Sequence, residues 1–593
     1  MSAHYESLVA GPLRALWDST NGQLRWIMWV DREIVRGVYG AVRDQFWGTV
    51  EPSLSDVQIV HGSDSFAVSF KARTSSAEID FEWAGVIAGE ADGTISYSFV
   101  GLSHHAFLRQ RIGLCVLHPI RECRGQSCRI RHANGEIETM AFPMEVSPHQ
   151  PFKDVTAISQ DLQDGVTVTV AFEGDTFETE DQRNWTDASY KTYCTPLDRP
   201  RPAWVQPGEV IRQRVEIRIQ GARCVIPHSD HDAVLLELGP RLVLPRLGFE
   251  HTRSAPDSGL VPQLRTLRPD HLRWTLDLTR GALDSELKAA AELVRLIGTK
   301  LHAAITLGTD PEAQLERLAA AVTAVRPPVA AWLVFHGDEA STSTRWVELA
   351  RRSLGALSPE SLFGGGTDQN FAELNRDRRP RTGFDVATFP INPQVHAFDD
   401  DSIAETLEVQ GDTVATARTF LGSVPIIAGP IVLEPRYAPD RSRNAAVDPR
   451  LSAPFSAAWT LGSVAALASA GCEYATFFEV FGPRGLFDRP EATGTSPAAG
   501  VFEDLAELGD ASWSLLVCAG RSPLTGLAYR TAKSQGMLLA NPGQIAVRAR
   551  LPFQVQRLRP LGAASAGRTW QPVEGSEIVI PPHGALRLEG QLS

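Results

Sequence analysis

The chain predicts a multidomain fold, α/β plus all-β: a (β/α)8 TIM barrel flanked by a large N-terminal β-sandwich and a small C-terminal β-sandwich. Three observations carry this prediction. Between about residues 240 and 485, eight short apolar segments recur, most ending on a polar or charged residue, with helix-compatible stretches between them. Before about residue 228, short runs alternate apolar and polar positions and are separated by Gly, Asp, Asn and Ser. After about residue 525 the chain is again turn-rich and strand-like. The expected domains are therefore 1–228, 229–524 (the catalytic barrel) and 525–593.

The N-terminal segment supplies roughly fifteen strand-like runs, FAVSFKA, AEIDFEW and VEIRIQ among them, enough for two packed antiparallel sheets. ARCVIPHSDHD (222–232) reads as the linker into the barrel. The eight barrel strands are expected at 242–251, 272–278, 301–307, 330–336, 361–368, 384–392, 425–435 and 474–480. The stretches 285–300 and 312–325 repeat apolar residues at three-and-four spacing and read as helices. Asp284 or Ser285 is the expected cap of the first, and Asp310 followed by Pro311 that of the second. The apolar, small-residue stretch 452–471 is a helix packed against the barrel and ended by Gly471.

Bulk properties narrow the function. A chain of 593 residues exceeds one hydrophobic core. Its 43% hydrophobic and 21% charged content is that of a soluble globular protein. The net charge of -13 disfavours binding to nucleic-acid backbones. Neither a membrane-spanning run nor a secretory leader is read, so a cytoplasmic protein is expected. Seven scattered cysteines (115, 123, 128, 194, 224, 472, 518) fit reduced thiols.

Barrels of this kind place their chemistry at the C-terminal ends of the strands. That rule selects Glu250, His251, Asp277, His336, Asp368, Asn392, Glu434 and Glu479. No G-x-S-x-G elbow sits at a strand-to-helix turn, and no H-E-x-x-H occurs.

The local sequence is more specific than the architecture. GPLRALWDSTNGQLRWI (11–27), RIGLCVLHPIRECRG (111–125), PMEVSPHQPFKD (143–154) and FEGDTFETEDQRNWTDASYKTYCTPL (172–197) resemble the bacterial D-apionate lactonase family. FGGGTDQNFAELNRDRRP (363–380) and FPINPQVHAFDD (389–400) extend the resemblance through essentially the whole chain. It implies hydrolysis of an aldonolactone, the ring-closed form of a branched pentonic acid, in sugar catabolism. The partner is then a small sugar lactone or sugar acid, and a homodimer is compatible with it.

Lactone opening needs an activated water, stabilisation of the carbonyl oxygen and protonation of the leaving ring oxygen. Glu434 and Glu479, at the ends of the seventh and eighth strands, are the acid/base candidates, because neighbouring strands hold two carboxylates close enough to perturb each other. Their competing role is an ion pair with Arg436 or Arg484. Glu250 and His251 end the first strand, with a pairing to Arg246 or Arg253 as the rival. His336 ends the fourth. Three glycines before Asp368, Asn370, Glu373 and Asn375 would let backbone amides approach a ligand. Asn392 and His396 follow the sixth strand. In the N-terminal block, Glu180, Asp181, Asn184, Lys191 and Tyr193 crowd around Trp185; they are expected to lean over the barrel mouth, unless they form an ion-pair cluster that docks the sandwich. No cofactor is expected; a divalent metal on His251, His302, His336 or His396 is the alternative. A glycoside hydrolase using the same paired carboxylates, and a non-catalytic sugar-binding protein, are the rival functions.

Overall fold

The computed structural model describes residues 4–162, 165–221, 233–251, 261–436, 447–489, 494–562 and 568–591. The expected linker at 222–232 lies outside the described residues. The chain divides into two compact units, Met1–Arg183 with Ala188–Asp230, and Asn184–Asp187 with His231–Ser593.

In the first unit the period-two pattern becomes strands with one buried face. Phe66–Ser75 alternates buried and accessible residues along its length, as alternate side chains of a strand must. Trp83 and Phe99 stack at 5.4 Å in the core, and Phe81 lies 6.2 Å from Phe99. Seventeen strands are joined in one hydrogen-bonded array rather than two separate sheets. The 13-residue strand Phe107–Pro119 explains the continuity, since it pairs with Arg32–Asp44, Ser189–Tyr193 and Ala203–Val205 along its length.

The second unit contains the barrel. Its strands are β1 (Arg246–His251), β2 (His271–Asp277), β3 (Lys300–Leu307), β4 (Val329–His336), β5 (Leu362–Gly366), β6 (Val386–Ile391), β7 (Ile426–Ile431) and β8 (Tyr474–Phe481). Each pairs in parallel with the next, and β8 returns to β1 to close the ring. All eight expected segments contribute a strand. The three glycines, however, lie within β5 itself. A Cβ on Gly364 would sit 1.7 Å from Val386 O and one on Gly366 2.0 Å from Thr388 O. The close approach they permit is therefore to the backbone of β6, not to a ligand.

Helix Leu283–Ile297 begins before Asp284 and Ser285, so neither caps it; Ala282 holds that position without a side-chain bond. Gly298 closes it in the left-handed conformation, at φ 78°. Helix Pro311–Val325 is capped by Asp310, whose side chain accepts from the Ala313 amide. Helix Pro454–Ser469 is buried on nearly every side, as its apolar, small-residue composition requires.

A seven-stranded sheet follows the barrel in the same unit. Two of its strands, Val234–Leu242 and Ser512–Cys518, come from the segment that the sequence assigns to the barrel, and they pair with each other. Their short apolar runs carry the same periodicity as barrel strands, so pattern alone could not allot them to a sheet. Among the described residues, no helix is long and apolar enough to cross a membrane. The six described cysteines are free.

Candidate active site

Charged side chains converge where β1, β7 and β8 end. Glu250 on β1 is the direct cross-strand neighbour of Glu479 on β8. Glu434 lies just past β7, in the turn after Ile431. Glu434 is 4% exposed and Glu479 7% exposed. Burial pushes the Glu434 carboxyl up to about 7, and the nearby Glu479 adds to the shift. Burial likewise raises Glu479 to about 7; Arg484 opposes the shift and Glu250 reinforces it.

Arginines tie this cluster together. Arg484 pairs with Glu479 at 2.5 Å. Arg436 donates to Glu250 at 3.3 Å and to Asp368 at 2.8 Å. Arg273, 1% exposed, reaches from β2 to Asp368 at 2.7 Å and to Gly429 O at 2.9 Å. Burial opposes ionisation of Asp368, but Arg436 and Arg273 outweigh it and hold this carboxyl below the usual range. The result is a file of linked charges, Arg273, Asp368, Arg436, Glu250, Glu479 and Arg484, in which the two acids Glu250 and Glu479 stand side by side. Glu434 stands at its end with buried Oε2 lacking a hydrogen-bond partner. A proton on that oxygen removes the cost of a buried, unpartnered charge.

The other expected residues are placed differently. His251 packs on the Trp274 ring at 4.0 Å, with Phe481 at 6.0 Å, so it belongs to a buried aromatic cluster. The partner of Glu250 is Arg436 rather than Arg246, and Arg253 lies outside the described residues. His336 stacks on Trp346 at 4.4 Å and its Nδ1 accepts from the Asp338 amide. Glu373 is taken up by a capping box with Asn370 at the start of helix Phe371–Arg376.

Asn375, Asn392 and His396 meet the Asn184–Asp187 segment of their own unit. Asn375 donates to Asn184 at 2.9 Å, Thr186 donates to Asn392 O at 2.8 Å, and His396 Nδ1 lies 2.6 Å from Asp187. Glu180, Asp181, Lys191 and Tyr193 belong to the first unit, where all four are buried. Lys191 pairs with Glu180 at 2.6 Å, and Tyr193 donates to Glu178 at 2.6 Å. Asp181 pairs with Arg183 at 2.7 Å, and both side chains are fully buried. Burial lowers the Lys191 pKa against the pull of Glu180. All four are thus engaged by buried partners within the first unit.

Among the described residues, one His/Asp group has ligand atoms close enough to hold a metal: Asp270, His271 and His302, within 4.8 Å of one another. It lies at the N-terminal ends of β2 and β3, the opposite end of the barrel from Glu434 and Glu479. The His271 and His302 rings stack at 3.8 Å with 12° between planes. One ion cannot lie in the plane of two rings stacked in this way, so ligation by both would require a ring to turn. His251, His336 and His396 join no such group among the described residues.

The arginines are what sequence reasoning missed. Arg436 and Arg484 entered it only as competitors for the glutamates. Arg273 did not enter at all, although the period of two in HLRWTLD sets it on the face of β2 opposite Leu272 and Trp274.

Comparison with known proteins places the chain as a whole. Residues 1–222 match the family model described as D-apionate lactonase, N-terminal domain, and residues 247–510 match D-apionate lactonase, TIM barrel domain. The D-apionate lactonase of Brucella anthropi is 28% identical over 582 residues, covering 91% of this chain and 95% of that protein. Solved structures with similar folds are more distant. A GH30 endoxylanase from Clostridium papyrosolvens is 12% identical with a TM-score of 0.39, covering 61% of this chain and 100% of its own. A beta-arabinopyranosidase is 10% identical with a TM-score of 0.34, covering 98% and 100%. With two domain models matched in order and a relative aligned along nearly its full length, the chain belongs to the D-apionate lactonase family.

Proposed function

We propose that this protein hydrolyses a sugar lactone, D-apionolactone or a closely related aldonolactone, to the open acid, with Glu479 as general base and Glu434 as general acid. The observation that carries the reading is the pair of buried glutamates at the ends of β7 and β8, both raised to about 7. A neutral-pH hydrolase needs one carboxylate and one carboxylic acid at the same moment, and a coupled pair titrating near 7 supplies both. Arg484 favours the charge on Glu479, while Glu434 has a buried oxygen with no cation on it, so the shared proton rests on Glu434. Glu479 then takes a proton from the attacking water. Glu434 delivers its proton to the ring oxygen as the acyl–oxygen bond breaks. Arg273 and Arg436 supply fixed positive charge for the carbonyl oxygen as it becomes an oxyanion.

Acid release from a panel of aldonolactones, followed by pH-stat beside chromogenic glycosides, tests the reading. Lactone opening is expected, and Glu434→Gln is expected to reduce it by about 10²–10⁴-fold, the usual contribution of a general acid. Cleavage of glycosides with inert lactones would replace this reading by the glycosidase one, since the same two carboxylates serve both chemistries.

A further inference from the structure

We propose that a cleft beside the start of helix Thr344–Leu354 binds a small oxyanion, at a site separate from the glutamate pair. The cleft has a volume of about 470 Å³, within the range of small-molecule sites. Arg345, Arg379 and Arg381 line it, together with Glu339 and the helix start at Ser343 and Thr344. None of Glu250, Asp368, Glu434 or Glu479 does.

The charges do not balance. Glu339 pairs with Arg345 at 2.7 Å, while Asp377 pairs with Arg379 at 2.5 Å and with Arg381 at 2.9 Å. Burial opposes ionisation of both carboxyls. The Ser343 amide and Arg345 outweigh it at Glu339, and Arg379 and Arg381 outweigh it at Asp377, so both stay below their usual range. Three guanidinium groups thus face two carboxylates, and one positive charge is left over.

Donors are left over as well. Arg345 uses one nitrogen, Nη2, on Glu339; Arg379 uses Nε and Nη2 on Asp377. Their side chains are 67% and 61% exposed. Arg381 is held in the wall by Thr342 O, Ser341 Oγ and Asp377, so it contributes charge rather than a spare donor. The helix adds to the field, since its first amides have no intrahelical acceptor. Glu339 already shows that a carboxylate fits there: its oxygens accept from the Ser343 amide at 2.9 Å and from the Ser343 hydroxyl at 3.1 Å.

Exposed guanidinium N–H groups match a carboxylate or a phosphate, and a single surplus charge suits a small anion of either kind. Calorimetric titration of the full chain at constant ionic strength, with inorganic phosphate and separately with sodium ribonate, tests this. One saturable site is expected for at least one of the two, and which one binds identifies the anion. Arg345→Ala with Arg379→Ala should weaken that binding at least tenfold. Arg345→Lys with Arg379→Lys, which keeps the charge but loses the fork, should fall between. Lactone hydrolysis should be unchanged in both variants, because neither residue belongs to the glutamate site. No saturable binding of either anion by the wild type would overturn the proposal. So would equal affinity in the alanine variant.

Discussion

In the proposed mechanism, Arg484 sets which of the two glutamates holds the proton. It lies 2.5 Å from Glu479, and its removal leaves that carboxylate facing Glu250 across the β1–β8 seam. With Glu479 as base, activity is lost as pH falls through its pKa. Arg484→Met should therefore move the acidic limb of the pH–rate profile to higher pH by about one unit or more; an unmoved limb would remove Glu479 from the role of base. The stability effect of Glu434 has the opposite economy. Its folded pKa of about 7 lies above its ordinary 4.5, so folding favours the protonated form, and stability falls as pH rises from about 4.5 to 7. Glu434→Gln removes that loss, so at pH 8 the variant should be more stable than the wild type by up to about 3 kcal/mol in denaturant titration. Glu434 and Glu479 were legible in the sequence because each closes an apolar run at the catalytic end of a strand. Arg273 was not, because a charged residue inside a strand reads as a solvated position until the barrel closes around it.

The hairpin of Phe177–Asp181 and Ser189–Tyr193 shows the limits of pattern for a whole element. A row of charges around Trp185 reads equally well as a binding loop or as an internal network. The structure buries every residue of both strands, because the charges answer one another. Arg183 is the hub: it bonds Asp181 and Tyr190 and the carbonyl oxygens of Pro143, Met144 and Glu145. Arg183→Ala should cost about 3–5 kcal/mol, since Asp181 would stay buried without its cation. Denaturant unfolding followed by tryptophan fluorescence measures it. A loss below about 1 kcal/mol would mean that the pair is solvated in solution. Helix ends divided in the same way. Asp310 with Pro311 was readable as a start, whereas Leu283–Ile297 starts without any side-chain cap for the eye to find.

Across the molecule, the barrel and the seven-stranded sheet share one unit, and Asp504 links them. This fully buried carboxylate on helix Pro497–Glu507 meets Arg559, Arg568 at 2.5 Å and Arg587 at 2.7 Å from the segments beyond the barrel. Ending the chain at residue 524 would strip Asp504 of all three cations. The truncated protein is therefore expected to be insoluble or molten, as measured by near-ultraviolet dichroism, and Asp504→Ala in the full chain should lower the melting temperature of the barrel and the sheet together. A well-folded, active truncation would show that the barrel stands alone. Chain order hides this dependence, since the sheet begins with Val234–Leu242, before the first barrel strand, and ends with Ala585–Gly590.

The file of charge at the strand ends also bears on what would follow the breaking of the bond. With the proton on Glu434, the three carboxylates Glu250, Asp368 and Glu479 are matched by Arg273, Arg436 and Arg484, so in the proposed mechanism an uncharged lactone would meet a site that is neutral as a whole. Ring opening creates an acid that ionises at neutral pH. The pocket then holds one anion more than its cations can match, and the product is pushed toward solvent. If the site acts as proposed, the balance that accepts the lactone would work against retention of the acid, and turnover would continue while product accumulates.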